Sequence, residues 1–206
     1  MKVFLVNGSP HQHGCTDRAL REVASALQAD GVEAEIFWIG DQPIGGCIGC
    51  GACRKLGRCA FEDPVNEFAA RLDEADGIVL GSPVHFAAAS GSMTSFLDRL
   101  FYSAGGRLAG KPAAVVVSAR RAGTTAAYEQ LLKYPGICQM PIISSCYWNM
   151  VHGQTAAEVG QDLEGLRTMR VLGHNMAYFL KCLAAGRAAG VPLPPEEPAA
   201  RTNFIR

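Results

Sequence analysis

Four of the eight cysteines lie within thirteen consecutive positions of the chain. They form the pattern C-x2-C-x2-C-x5-C, in which small residues separate the first three, and they are Cys47, Cys50, Cys53 and Cys59. Three thiols at intervals of three let one loop wrap a compact inorganic core, and iron–sulfur clusters take four such ligands. Structural zinc sites usually have two C-x2-C pairs separated by a longer loop, which leaves the third close cysteine unexplained. The spacing therefore favours an iron–sulfur cluster, with a redox or structural thiol loop and a zinc site as alternatives.

The segment GSPHQHGCT at residues 8–16 predicts a phosphate-binding loop between a strand and a helix. Gly8 and Gly14 allow tight backbone geometry there. Ser9 and Thr16 add hydroxyl donors beside the free amides of a helix start, and this combination favours a phosphate dianion. The alternative is a plain turn in which Thr16 only caps the helix. The segment lacks the lysine of a P-loop, and no G-x-G-x-x-G follows a strand, so ATP hydrolysis and a Rossmann-type nicotinamide site are disfavoured.

Strand-like and helix-like segments alternate along most of the chain. Apolar runs typical of strands lie at residues 2–7, 33–39, 77–80, 113–118 and 139–143. Apolar positions at helical spacing lie from residue 16 to the stop at Gly31, and at residues 63–73, 92–102, 125–133 and 157–185. This alternation predicts a parallel sheet with right-handed crossovers and helices on both faces. Ligands of such a sheet bind beyond the carboxyl ends of its strands, where the loop at 8–16 lies.

The length and composition limit the organisation of the chain. At 206 residues it has room for about one domain, which we assign to residues 1–190, with a cysteine-rich loop at 42–61. The remaining residues, 191–206, are rich in proline and are predicted to form an extended tail. Hydrophobic residues make up 49% and charged residues 18%, which is typical of a folded protein.

The charge balance and the short apolar runs exclude several functions. Lysine plus arginine and aspartate plus glutamate both number 19, so no basic field attracts nucleic acid or an anionic membrane. The longest apolar runs are far too short to span a bilayer, and the one after Lys2 is too short for a signal peptide. We therefore expect a cytoplasmic protein that binds neither nucleic acid nor a membrane.

Three loops of this chain resemble the flavin loops of the NADPH-dependent FMN reductases and the iron-sulfur flavoproteins, which are flavodoxin-like families. GSPHQHGCT at 8–16 is similar to their GSPRxxGNT, and GSPVHF at 81–86 is similar to GSPVYF. SARRAGTT at 118–125 resembles their third flavin loop. The resemblance implies a flavodoxin-like, doubly wound α/β fold with a five-stranded parallel sheet of order 2-1-3-4-5.

The resemblance also implies FMN as the cofactor and names its contacts. The first loop would bind the phosphate and the other two would lie beside the ring. The residues implied are Ser9, His11, Gly14, Cys15, Thr16, Pro83, Val84, His85, Phe86, Ser118, Arg120 and Gly123. The chain departs from the family pattern at His11, Cys15 and His85, where arginine, asparagine and tyrosine are usual. Because histidine titrates near neutral pH, His11 in place of arginine implies a pH-dependent FMN affinity.

As to activity, the resemblance implies an FMN-dependent oxidoreductase whose chemistry takes place on the flavin. NAD(P)H would reduce the flavin, which would then reduce a quinone, free flavin or another small acceptor. The alternative is an iron-sulfur flavoprotein that passes single electrons between ferredoxin, a [4Fe-4S] cluster held by the four cysteines, and FMN. A flavin-binding regulatory module is a third possibility. The assembly implied is a homodimer or a homotetramer.

Overall fold

The computed structural model describes residues 1–195, 197, 198, 200, 202 and 204, and within these residues six strands form one sheet. They are β1 Lys2–Asn7, β2 Glu33–Trp38, β3 Gly77–His85, β4 Ala88–Ala89, β5 Ala113–Ala119 and β6 Met150–His152. The sheet order is β2-β1-β3-β5-β6 with every pair parallel, and β4 pairs antiparallel with β3. Since β4 is only a two-residue hairpin arm, the five parallel strands have the predicted flavodoxin-like order, 2-1-3-4-5.

Helices cover both faces of the sheet. The described residues form α1 Cys15–Ala29, α2 Cys53–Leu56, α3 Pro64–Ala70, α4 Gly91–Ala104, α5 Thr124–Ile137, α6 Ala156–Val159 and α7 Leu163–Ala188. Successive residues of a strand point to opposite faces, so Phe4 belongs to the core that α3, α4 and α5 cover, while Leu5 belongs to the core that α1 and α7 cover. The two resulting cores hold the carboxyl ends of β1, β3 and β5 at one edge.

Polar side chains fix where several helices begin. Asp63 accepts the amide of Val65 at 3.1 Å and precedes Pro64, whose missing N–H is not needed at a helix start. Asp162 accepts the amide of Gly165 at 2.9 Å and starts α7 in the same way. Each bond satisfies one of the amides that the first turn leaves unpaired.

The fifth parallel strand lies later in the chain than the sequence pattern predicts. Residues 139–143 form only one bridge to β5, between Ile142 and Ala113, and the strand proper is Met150–His152 beside the end of β5. Pro141 lies inside the predicted strand, and because it has no N–H it cannot continue a ladder. The chain leaves the sheet after Ile143 and rejoins it seven residues later.

Other boundaries also differ from the sequence pattern. The strand predicted at 77–80 continues to His85, so that the GSPVHF segment is largely strand. The terminal helix predicted at 157–185 is divided into α6 and α7, and the 42–61 loop contains α2. The tail predicted at 191–206 lies partly outside the described residues. Among the helices described, none is both long enough and apolar enough to cross a bilayer.

Candidate functional site

Asn7, the last residue of β1, shapes the loop that follows it. Its completely buried side chain donates from Nδ2 to the carbonyl of Gln12 at 3.1 Å and accepts the amide of Ser9 at 3.0 Å. The indole Nε1 of Trp38, at the end of β2, donates to the Ser9 carbonyl at 2.8 Å. The Ser9 hydroxyl in turn accepts the amide of His11 at 3.1 Å. Residues of two neighbouring strands therefore hold the loop in shape through hydrogen bonds within the chain.

Helix α1 begins directly after this loop. Gly14 is its first flanking residue, and no side chain of the described residues caps it, so the amides of its first turn are available to an anion. The hydroxyl oxygen of Thr16 lies 2.8 Å from that of Ser118 at the end of β5, and both residues are buried. The first and third predicted loops thus meet through a direct hydrogen bond.

The second predicted loop is a tight hairpin at the tip of β3. Pro83, Val84 and His85 continue the strand, and Phe86 and Ala87 form the turn into β4. The φ angles of the two turn residues are 50° and 58°, the left-handed pattern of a type I′ turn that glycine and asparagine usually adopt. Backbone strain in non-glycine residues of this kind concentrates at functional sites.

Gly123 brings the third loop against this hairpin. Its φ is 91°, and a Cβ at this position would lie 2.7 Å from the Cα of Ala87 and 3.1 Å from Cγ1 of Val84. A side chain at residue 123 would therefore displace the hairpin. All three predicted loops consequently lie side by side at one edge of the sheet.

Ser90 connects the hairpin to the first loop. Its hydroxyl donates to the carbonyl of Gly8 at 2.8 Å and accepts the amide of Met93 at 3.2 Å, so that it also caps α4. Its own amide donates to the hydroxyl of Ser82 at 3.0 Å. Because Ser82 and Ser90 are both buried, these bonds fix the start of α4 relative to the loop after β1.

The remaining predicted residues differ in exposure. His11, His85 and Arg120 are exposed to solvent at this edge. Cys15 is half-buried instead, and its thiol donates to the carbonyl of Gly153, beyond β6, at 3.5 Å. Burial raises the pKa of the Cys15 thiol, so this residue stays neutral and packs against the β6 end of the sheet.

The four clustered cysteines line one cavity of about 420 Å³ between the 47–61 segment and α4. The lining includes Cys47, Cys50, Cys53, Cys59, Arg54 and Arg99. Gly49 and Gly51 have φ angles of 65° and 69°, so the chain turns sharply between the cysteines at residues that tolerate this conformation. Among the described residues, no group of three or more His, Cys, Asp or Glu side chains is arranged to hold a single metal ion.

Cys59 is held from two sides. Asn66 on α3 accepts the Cys59 amide at 3.1 Å and donates to the Cys59 carbonyl at 3.0 Å. The guanidinium of Arg99 on α4 donates from Nε to the Cys59 sulfur at 3.2 Å. The backbone and the thiol of this cysteine therefore have separate partners, which fixes the direction in which its sulfur points.

Comparison with known proteins identifies the family. A family model described as NADPH-dependent FMN reductase matches residues 1–155. The chain belongs to this family. Its members are flavin-dependent oxidoreductases, and this protein is one of them. An iron-sulfur flavoprotein of Methanocaldococcus jannaschii is 30% identical over 193 residues, which cover 89% of this chain and 99% of that protein.

Two solved structures show that the FMN reductase fold of this chain is flavodoxin-like. RosB with bound 8-demethyl-8-formylriboflavin-5'-phosphate matches with a TM-score of 0.70, covering 100% of this chain and 96% of that chain at 14% identity. A WrbA-like flavodoxin from Agrobacterium tumefaciens matches with a TM-score of 0.63, covering 88% of this chain and 98% of that chain at 18% identity. At these identities the likeness establishes the fold.

Sequence reasoning did not find four polar side chains that build these two sites in this FMN reductase family member. They are Asn7, Asn66, Ser90 and Arg99. Asn7 carries a detectable signal, because it is a polar residue at the end of an apolar run typical of a buried strand. Arg99 carries none, because it lies off the helix face that carries Met93, Phe96, Leu97 and Leu100. Asn66 and Ser90 carry none, since both types are common in the first turn of a helix.

Proposed function

We propose that this protein is an iron-sulfur flavoprotein that binds FMN at the three loops and a [4Fe-4S] cluster at the cysteine cavity, and that it transfers electrons between the two. The observation that carries the proposal is that Cys47, Cys50, Cys53 and Cys59 all line one cavity beside α4. The other end of this helix is bonded to the loop after β1 through Ser90. The proposal joins both candidate sites into one redox system.

The loop after β1 has the properties that an FMN phosphate needs. The first-turn amides of α1 have no side-chain cap among the described residues, and Asn7 and Trp38 shape the loop beforehand. A helix N-terminus of this kind favours a dianion through its amides and its dipole. We assign phosphate binding to the segment from Ser9 to Thr16, including His11, Gly14 and Cys15 through their backbone or side chains.

The hairpin and the third loop have the properties of a ring site. The apolar surfaces of Pro83, Val84 and Phe86 adjoin polar groups that can orient a heterocycle, and His85, Ser118, Arg120 and Gly123 complete the set. FMN, when bound, supplies the redox chemistry itself, so no side chain is required as a nucleophile or a base. A cation such as Arg120 near the ring favours negative charge on it.

The cysteine cavity has the donor set that an iron–sulfur cluster takes. Four thiols surround a common space, and Arg54 and Arg99 line the same cavity. Thiolate ligands and the cluster core carry net negative charge, which neighbouring guanidinium groups offset. The proposal is further supported by the match to an iron-sulfur flavoprotein along nearly its whole length.

Two candidate functions differ in the electron donor that reduces the protein. A ferredoxin-like one-electron carrier suits a protein whose cluster receives electrons first. The description of the family favours the second candidate, in which NADPH or NADH reduces FMN and the flavin reduces a small acceptor. The large exposed side chains Phe86, Tyr147 and Trp148 support assembly into a homodimer or homotetramer.

The deciding experiment measures iron, acid-labile sulfide, zinc and FMN per chain in protein purified without oxygen. We expect one FMN with about four irons and four sulfides. FMN without metal, even after anaerobic reconstitution, would reject the cluster and leave the NAD(P)H-dependent reductase. Reduction of the loaded protein by reduced ferredoxin, compared with NADPH and NADH, then identifies the donor.

A further inference from the structure

Arg99 is a buried arginine with every donor occupied. It is 2% exposed, although arginine is rarely buried to this extent without partners. Its Nε donates to the Cys59 sulfur at 3.2 Å, and Nη1 donates to the Gly45 carbonyl at 3.2 Å. Nη2 donates to the Phe61 carbonyl at 3.4 Å and to Asp63 at 2.9 Å, and the second Asp63 oxygen accepts from Nη1. All five N–H groups of the guanidinium thus have an acceptor.

These acceptors lie at both ends of the cysteine loop. Gly45 precedes the first cysteine by two residues, whereas Cys59, Phe61 and Asp63 lie at or after the last cysteine. The guanidinium also lies over the ring of Phe61, 4.9 Å from its centroid. One side chain of α4 therefore joins the entry and the exit of a segment that otherwise has only the short helix α2.

The charge of Arg99 is secured by its partners. A guanidinium keeps its proton in proteins, and the Asp63 carboxylate, which accepts from Nη1 with one oxygen and from Nη2 with the other, balances its charge. A hydrogen bond from a charged donor to sulfur strengthens as the sulfur becomes more negative.

We propose that Arg99 is the positioning residue of the cysteine site: it closes the loop before any metal binds, and it donates to the Cys59 sulfur. The first role depends only on the contacts of the chain. The second rests on the proposed function, because it concerns a cluster bound by Cys59. Since hydrogen bonds to the sulfurs and local charge set the potential of such clusters, Arg99 raises the reduction potential by stabilising the more negative, reduced state.

The first test uses the metal-free protein and limited trypsin digestion. Arg54, Lys55 and Arg58 are exposed within the loop and report its opening. We expect Arg99→Met to be cleaved at these residues at least about tenfold faster than wild type, because cleavage follows the population of the open loop. The matched control is Arg107→Met, which removes a partly exposed arginine paired with Asp73 outside the cavity. Equal cleavage rates in the Arg99 and Arg107 variants would overturn the closing role.

The second test measures the midpoint potential of the cluster in reconstituted wild type and in Arg99→Lys. Lysine retains the charge but cannot reproduce the five-donor fork, so we expect a more negative potential and trypsin cleavage between those of wild type and Arg99→Met. An unchanged potential would overturn the bond to sulfur. Should Arg99→Met fail to fold, judged by circular dichroism and FMN binding, Arg99→Lys serves for both measurements. Wild type without iron would reject the cluster, while the trypsin result would still decide the closing role.

Discussion

The hydroxyl oxygens of Thr16 and Ser118 lie 2.8 Å apart although 102 positions separate the two residues in the sequence. This bond ties the first turn of α1 to the end of β5. Each hydroxyl can donate one hydrogen bond and accept two, so the pair keeps capacity for a further partner. The contact therefore sets the separation of the first and third loops.

Replacing Thr16 with valine removes this bond while keeping the shape of the side chain. Ser118 is left buried without its partner, so we expect the free energy of unfolding to fall by about 1–3 kcal/mol and the FMN affinity to fall with it. Urea denaturation and a fluorescence titration with FMN measure the two effects. The control is Thr94→Val, whose hydroxyl is exposed. Equal losses of unfolding free energy and of FMN affinity in the two variants would show that the bond between Thr16 and Ser118 contributes to neither.

Replacing Gly123 with alanine tests the contact between the third loop and the hairpin. The new Cβ would meet Ala87, so we expect the hairpin to shift and FMN to bind at least about tenfold more weakly, a change of about 1.4 kcal/mol. Gly31→Ala is the matched control, because its φ is 78° and, apart from the residue itself and its chain neighbours, no described residue lies within 4 Å of the added Cβ. Both variants carry similar backbone strain, and normal FMN binding by Gly123→Ala would contradict the packing argument.

Exchanging Cys50 for serine removes one cavity-lining thiol. We expect bound iron to be lost while the circular dichroism spectrum and FMN binding stay at the wild-type level, because Cys50 is exposed and contributes little to the core. The control is Cys182→Ser, which changes an exposed cysteine on α7. We expect this variant protein to keep its bound iron. Stoichiometric iron and sulfide in the Cys50 variant would remove this residue from the ligand set.

An ion-pair network at the opposite edge of the sheet predicts how stability changes with pH. Arg71 donates to both carboxylate oxygens of Glu35, at 2.6 and 2.8 Å, and this pairing holds the pKa of Glu35 at about 2 against an ordinary 4.5. Lys2 bonds the same carboxylate. Because the folded-state pKa is lowered, the stabilisation is complete above about pH 4.5 and is lost as the pH falls towards 2.

Glu35→Gln should therefore lose less stability than wild type between pH 6 and pH 3. We expect a difference below about 1 kcal/mol, because the Glu35 side chain is 37% exposed and solvent screens the pair. Urea denaturation at the two pH values measures it. Glu67→Gln, at an exposed position of α3, is the control, and equal pH dependence of the two variants would contradict the role of the network.

The sequence predicted most of the sheet because buried parallel strands are long apolar runs. It failed where a strand is short or contains proline. The run of three residues at Met150–His152 is too short to recognise, and the apolar run at 139–143 contains Pro141. The continuation of β3 to His85 was missed because Gly, Ser and Pro in GSPVHF are typical of a loop.

Within the candidate site, the sequence predicted which loops take part but not the bonds that join them. Thr16 and Ser118 were both implied as flavin contacts, yet nothing in their spacing shows that they bond each other. Ser90 and Arg99 act on partners more than 35 positions away, so only the folded chain shows what they contact. The positions of the loops follow from local patterns, whereas their mutual arrangement depends on packing.

Helix α4 sets the distance between the loop after β1 and the cysteine loop. Ser90 precedes its first residue and bonds the loop after β1, and Arg99 bonds the cysteine loop nine positions later, about 13 Å along the axis. One residue inserted or deleted between them would turn Arg99 by about 100° and remove it from Cys59. Selection should therefore remove insertions and deletions between Ser90 and Arg99, and should tolerate them in surface turns away from both loops, such as the turn at Gly110. The distance between the loop after β1 and the cysteine loop therefore depends on the number of helical residues between Ser90 and Arg99.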